Sequence, residues 1–149
     1  MSIKELCQRD IVAVGRDDTA FKAAELMRQN HVGHVLVVEN KHGITTPAGI
    51  VTDRDIVIEI VATDLDPHVI TVGDIMLPHL CTIDEDAEIF TAIRLMNGKG
   101  IRRLPVTDKD GSLVGILTLD DLLQTIAKES FGIDMLLSNE HKNEIRERR

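Results

Sequence analysis

The sequence has no tryptophan and no tyrosine, and 3 of its 149 residues are phenylalanine. An aromatic content of 2% excludes a core built on rings, so the packing must come from Val, Ile, Leu, Ala and Met. Cysteine is equally scarce. Cys7 and Cys81 are the only thiols, and no cationic-plus-apolar leader precedes them, so a cytoplasmic, reduced protein is expected. Both are read as small packing residues rather than as a disulfide. No apolar run approaches the ~20 residues that span a bilayer. Positive charge is also short: 17 Lys and Arg against 25 Asp and Glu leave a net charge of −8, which argues against duplex nucleic acid as the main partner. No G-x-x-x-x-G-K-[ST] phosphate loop is present, and no His, Ser or Cys stands at a nucleophile–base spacing, so catalysis is not expected. His31 and His34 are three apart but no third ligand accompanies them, so no metal site is expected either.

What the chain does have is a repeat. Gly49-Ile50-Val51-Thr52-Asp53-Arg54-Asp55 returns as Gly115-Ile116-Leu117-Thr118-Leu119-Asp120-Asp121, an interval of 66 residues. Each copy reads as a short buried strand turning into a helix. Thr52 or Thr118 is placed to cap that helix, with Asp55 or Asp121 in the first turn, where negative charge suits the dipole. One reading is a plain Thr-x-x-Asp capping box. The other is a nucleotide cradle, in which helix N–H groups and the threonine meet a phosphate while the carboxylate takes both ribose hydroxyls. Two copies in register favour the cradle.

The rest of the chain supports the duplication. A turn at 2–7 leads to a brief strand at 11–14. A turn follows in which Asp18 or Thr19 caps a helix over 20–30, with Ala20, Ala23, Ala24 and Met27 at helical spacing. Residues 35–38 read as a buried strand, 39–48 as a polar surface loop, 49–52 as a strand and 53–62 as a helix. After a linker at 63–68 the pattern restarts: 72–76 matches 3–7, 81–83 matches 12–14 and 93–96 matches 24–27, all at an interval of 69. The interval falls to 66 because the loop at 107–114 is three residues shorter than its counterpart, and an indel confined to a loop is what two copies of one fold should show. Gly98 and Gly100 fit a helix C-terminus and a tight turn. The expected division is 1–64, 65–130, and a 131–149 segment. In that last segment Phe131, Ile133, Met135, Leu136 and Leu137 dock before a frayed helix or disordered tail. The fold class is α+β: two repeats, each a small sheet with helices, packed about a pseudo-twofold axis that leaves two equivalent clefts.

The paired Gly-h-x-Thr-x-x-Asp segments, the Ile-Arg-Arg-Leu-Pro-Val run at 101–106 and the Val-Gly-Asp-Ile-Met lead-in at 72–76 resemble a tandem pair of CBS domains, a Bateman module. The resemblance covers residues ~2–128. It implies a regulatory homodimer that binds an adenosine-containing ligand (AMP, ADP, ATP, NAD or S-adenosylmethionine) and signals to a separate effector protein. Carried over by position, Asp55 and Asp121 would hold ribose hydroxyls, and Thr52 and Thr118 the ribose–phosphate region. Gly49, Arg54, Gly115 and Asp120 belong to the same segments. The backbone at Ala13-Val14 and Thr82-Ile83 would meet the adenine edge. Arg103, beside Pro105, and its counterpart His34 stand where the family often places a phosphate-facing base, and either repeat's base could serve either cleft. The copies differ: Arg54 stands where repeat two has Asp120, Leu36 replaces the family proline, and His34 is a weaker cation than arginine. The rival to a ligand sensor is a ligand-independent dimerisation or protein-interaction module in which the threonines and aspartates only cap helices.

Overall fold

The computed structural model describes residues 2–77, 79–128 and 133–148, with backbone alone at 133–135. The chain forms two compact units. One, the first-repeat unit, gathers Asp10–Cys81 and Lys109–Leu113; the other, the second-repeat unit, gathers Met1–Arg9, Thr82–Asp108 and Val114–Arg149.

In the first-repeat unit, β1 (Ala13–Gly15) leads into helix α2 (Ala20–Asn30), capped by Thr19, whose hydroxyl accepts from the Lys22 amide at 3.1 Å. Strands β2 (His34–Lys41) and β3 (Ile44–Thr52) complete a sheet in the order β1-β2-β3. β1 runs parallel to β2, and β2 antiparallel to β3. Helix α3 (Asp53–Ile56) leaves β3 and widens into a π-helical turn over Val57–Val61, where the Ala62 amide bonds the Val57 carbonyl at 2.8 Å. Helix α4 (Val72–Ile75) closes the unit. Val14, Ala23, Met27, Val35, Val37, Val51 and Val72 form its core.

In the second-repeat unit the order is β4 (Ile83–Asp84), α5 (Ile89–Lys99), β5 (Arg103–Thr107), β6 (Leu113–Thr118) and α6 (Leu119–Ala127), with a sheet β4-β5-β6. Ile83, Ala92, Met96, Leu104, Val106 and Leu117, equivalent to the first six core residues, are all buried. The seventh place, that of Val72, is taken by Ile3, fully buried on α1 (Ile3–Leu6) at the start of the chain.

The lead-in helices are therefore exchanged relative to the linear copies: α1 packs with the second repeat's sheet and α4 with the first's. The hydrogen bonds match position for position. The Ile3 and Lys4 amides donate to the Ala87 and Glu85 carbonyls at 3.1 and 2.9 Å, and the Val72 and Gly73 amides to the Asp18 and Arg16 carbonyls at 2.8 and 2.9 Å. Burying one aliphatic side chain in each, about 1.5–3 kcal/mol, anchors a helix too short to persist alone.

Three expectations need correction. Residues 39–48 are not a loop but the two arms of a hairpin, turned at His42 and Gly43, whose φ values of +54° and +79° suit a tight two-residue connection. Pro47 is accommodated where the register shifts between Val37 and Val38, an irregularity that spares it a ladder bond. The helix expected over 53–62 is α-helical only to Ile56. Gly98 lies inside α5, and Gly100 alone takes the left-handed cap at φ +64°, a role filled in the first repeat by His31 at φ +54°. Of the two forms expected for the charged C-terminal stretch the helix is the one present, α7 (Ile133–Glu147), with an Arg148–Glu144 pair at 3.5 Å. Leu136 on it is exposed and Leu137 half-buried, whereas Phe131 and Arg149 lie outside the described residues, as do the side chains of Ile133 and Met135.

Candidate functional site

The motif threonines and aspartates come together in both units with nearly the same geometry. Each strand ends on a threonine in extended conformation, which turns its hydroxyl toward the first helical turn. Thr52 Oγ1 accepts from the Asp55 amide at 3.2 Å while Asp55 Oδ2 accepts from the Thr52 amide at 2.8 Å. In the second unit the distances are 3.2 Å from the Asp121 amide to Thr118 Oγ1 and 2.9 Å from the Thr118 amide to Asp121 Oδ2. Both are full capping boxes, so one carboxylate oxygen of each aspartate is committed to its own helix. The second oxygens differ. Asp121 Oδ1 accepts from Gln8 Nε2 at 2.8 Å, whereas Asp55 Oδ1 has no hydrogen-bond partner among the described residues.

A third capping box, Thr71–Asp74, starts α4. Backbone and hydroxyl donation from Thr71 holds the Asp74 carboxyl below its ordinary value, because the bonds favour the charged form. Thr-x-x-Asp geometry alone therefore does not single out a ligand site.

The glycines that open the motifs are points of close approach. A Cβ on Gly115 would stand 2.7 Å from the Gln8 carbonyl oxygen and 2.9 Å from Cys7 Sγ. One on Gly49 would stand 2.7 Å from Met76 Sδ. Each glycine thus admits the lead-in segment beside its strand. Cys7 and Cys81 are free thiols, and burial pushes the Cys7 thiol up from its ordinary value.

His34 is half-buried at the start of β2 and pairs across the ladder with Thr52, so both side chains leave one face of the sheet. In the second unit the Leu119 amide donates to the Arg102 carbonyl at 2.8 Å, matching the Asp53 amide on the Gly33 carbonyl at 2.9 Å. Arg103 therefore sits beside Thr118 as His34 sits beside Thr52: each base lies next to its own repeat's motif. The Arg103 Nε is buried with no hydrogen-bond partner among the described residues. Arg54 and Asp120 are exposed in the first helical turns, with opposite charges at equivalent places. Val14, Ile83 and Pro105 are buried, so they can offer a ligand only backbone, while Thr82 is exposed. Gln8 was not foreseen; the signal was a break in the repeat, since its counterpart 69 residues on is Leu77. Among the described residues no group of three or more His, Cys, Asp or Glu could hold a metal ion, and no helix is long and apolar enough to cross a membrane.

The family model for the CBS domain matches twice, at residues 3–62 and 72–128. An uncharacterized protein of Methanopyrus kandleri is 40% identical over 83% of this chain, which spans 62% of that relative's length. The CBS domain-containing protein YhcV of Bacillus subtilis is 34% identical over 95% of this chain and 97% of its own. Among solved structures, a CBS domain protein from Pyrobaculum aerophilum complexed with AMP is 26% identical and superposes with a TM-score of 0.74, covering 93% of this chain and 97% of that one.

Proposed function

The chain belongs to the CBS-domain family and carries two such domains, and from that premise we propose that it is a cytoplasmic regulatory module that binds an adenosine-containing ligand rather than an enzyme or a nucleic-acid-binding protein. The ligand class is AMP, ADP, ATP, NAD or S-adenosylmethionine. The observation that carries the reading is the Thr–Asp constellation at the end of both motif strands, with Asp55 keeping one carboxylate oxygen unpartnered among the described residues. The Arg103 Nε adds a buried donor without an acceptor among the described residues, the kind of group a phosphate oxygen satisfies. The AMP complex of the Pyrobaculum relative supports the ligand class.

In this proposal Asp55 and Asp121 accept from ribose hydroxyls. Thr52 and Thr118, with Gly49 and Gly115 keeping the strands clear, face the ribose–phosphate region. The backbone of Val14, Thr82 and Ile83 reads the adenine edge. His34, Arg54 and Arg103 draw the phosphate, Asp120 opposes it, and Pro105 shapes the strand that carries Arg103. The functional repeats are 1–64 and 65–130, with 131–149 as an appended segment. Ligand acts through its different affinity for two states of a homodimer, and a separate effector protein reads the result. A ligand-independent dimerisation module is the second reading, favoured by one observation: Phe21 and Phe90, equivalent in the two repeats, are both exposed, at 42% and 73%.

Calorimetric titration with the five ligands tests the proposal. Saturable heat is expected with an adenosine ligand and not with its guanosine analogue. Asp55→Ala and Asp121→Ala should each remove one site at a stability cost of about 1 kcal/mol. Silence with all five ligands would leave the dimerisation module as the account.

A further inference from the structure

We propose that Gln8 is an intramolecular competitor for the Asp121 site, so that the two sites of this chain bind adenosine ligands unequally, the Asp55 site first. The inference rests on the ligand reading above and adds a regulator that the reading does not contain. Asp121 has two carboxylate oxygens; Thr118 donates to one and Gln8 to the other. A ribose diol approaching Asp121 must therefore take a place that the Gln8 amide holds at 2.8 Å.

The amide is there because its backbone is pinned. Gln8 and Ile116 exchange both backbone bonds, each at 2.9 Å, and the glycine at 115 leaves room for that approach. Gln8 itself is exposed, so releasing the carboxylate needs a side-chain rotation and no departure of the segment. The latch is thus reversible and local. In the first-repeat unit the equivalent residue is Leu77, which has no side-chain donor, and Asp55 Oδ1 stays unpartnered among the described residues. Position 120 reinforces the difference, since Asp120 repels a phosphate where Arg54 attracts it.

The test is calorimetry of the full-length chain with AMP and with 2′-deoxyAMP, in an Asp55→Ala background that leaves only the Asp121 site. Adding Gln8→Leu, or Gln8→Ala as a second variant, is expected to tighten AMP by about 3- to 10-fold, the range of one exposed hydrogen bond to a carboxylate. The gain should largely vanish with 2′-deoxyAMP, which lacks one of the hydroxyls that would replace the amide. AMP heat that appears only after Gln8 is replaced would also support the latch. Should Asp55→Ala fail to fold, the same comparison in the otherwise wild-type chain reads the weaker of two binding phases. Unchanged or weaker AMP binding on replacing Gln8 would overturn the latch and leave the ligand reading standing. No binding of any of the five adenosine ligands by either the wild-type chain or the Gln8 variants would overturn both.

Discussion

The two units share a core and a cap but hold their lead-in helices by different means. Helix α4 is secured by its own start: Thr71 and Asp74 exchange both capping bonds, and nothing charged is needed at Gly73. Helix α1 has Ser2 at the same place, and Ser2 makes no side-chain cap bond. Beyond the buried Ile3 and the backbone bonds it has in common with α4, α1 adds pairs across to the sheet's loops, Lys4–Asp86 at 3.5 Å and Arg9–Glu85 at 4.0 Å, and Gln8 on Asp121. Exposed pairs of that kind contribute about 0–1 kcal/mol and weaken with salt. The unit in which Asp55 Oδ1 has no hydrogen-bond partner among the described residues thus starts its lead-in helix on a local cap, and the unit in which Gln8 holds Asp121 adds exposed pairs that salt screens. The two repeats share one scaffold, and at the motif they differ in what the second aspartate oxygen meets.

The comparison breaks most readily at the glycines. Gly115→Ala drives a methyl into the Gln8 carbonyl, which is backbone and itself paired, and should cost about 1–3 kcal/mol of overpacking strain. Gly49→Ala meets the side chain of Met76, which can turn away, so urea denaturation should show a distinctly smaller loss. Equal losses would mean that the two lead-ins are held alike.

The caps should behave the other way. Thr52→Ala and Thr118→Ala remove the same bond at the same 3.2 Å and should each cost about 1 kcal/mol. A difference as large as the cost itself, measured by thermal or urea unfolding, would show that the π-helical turn after α3 makes its start unlike that of α6.

The smallest effect concerns Cys7, which stands where the first-repeat unit has the non-titrating Met76. Burial raises the Cys7 thiol above 9.0, so the neutral thiol is favoured in the folded chain. That contribution is complete below pH 9.0 and is lost as pH rises through the raised value. The stability difference between the wild-type chain and Cys7→Met should therefore shift against the wild type from pH 9 upward. A difference that stays flat across that window would show the thiol to be as solvated folded as unfolded.

Much of this was legible in the residues, and what was not has a physical reason. Helix 20–30 was readable to the residue because Ala20, Ala23 and Met27 mark one face and Thr19 caps it. The strands around Val35–Val37 and Val51 stood out because buried strands are continuous aliphatic runs. The hairpin arms beyond them did not. Asn40, Lys41 and Thr45 are exposed, so nothing in their polarity separates strand from loop, and the turn is made by a His–Gly pair rather than the usual Asn–Gly. The exchange of lead-in helices was invisible for another reason. The 69-residue interval shows that segments 3–7 and 72–76 are alike, but likeness does not say which sheet each joins. Of the site, the Thr–Asp pairs stood out by their spacing, while the bases His34 and Arg103 were suggested only by the family resemblance. Gln8 on Asp121 was not legible, since 113 residues of sequence separate them.

The exchange of α1 and α4 also sets an order of birth. The first-repeat sheet and its closing helix are fully synthesised by Ile75, with the backbone partners of α4 at Arg16 and Asp18 already made. Ile3 and Gln8 are synthesised before the sheet of their unit, and their partners at Ala87 and Ile116 come 84 and 108 residues later. At about 5–20 residues per second that is a wait on the order of 5–20 s, during which the opening segment trails unpaired beside a nearly finished neighbour. The second-repeat unit can close only once residues 2–9 meet partners made long after them, whereas the first-repeat sheet waits for nothing beyond Ile75.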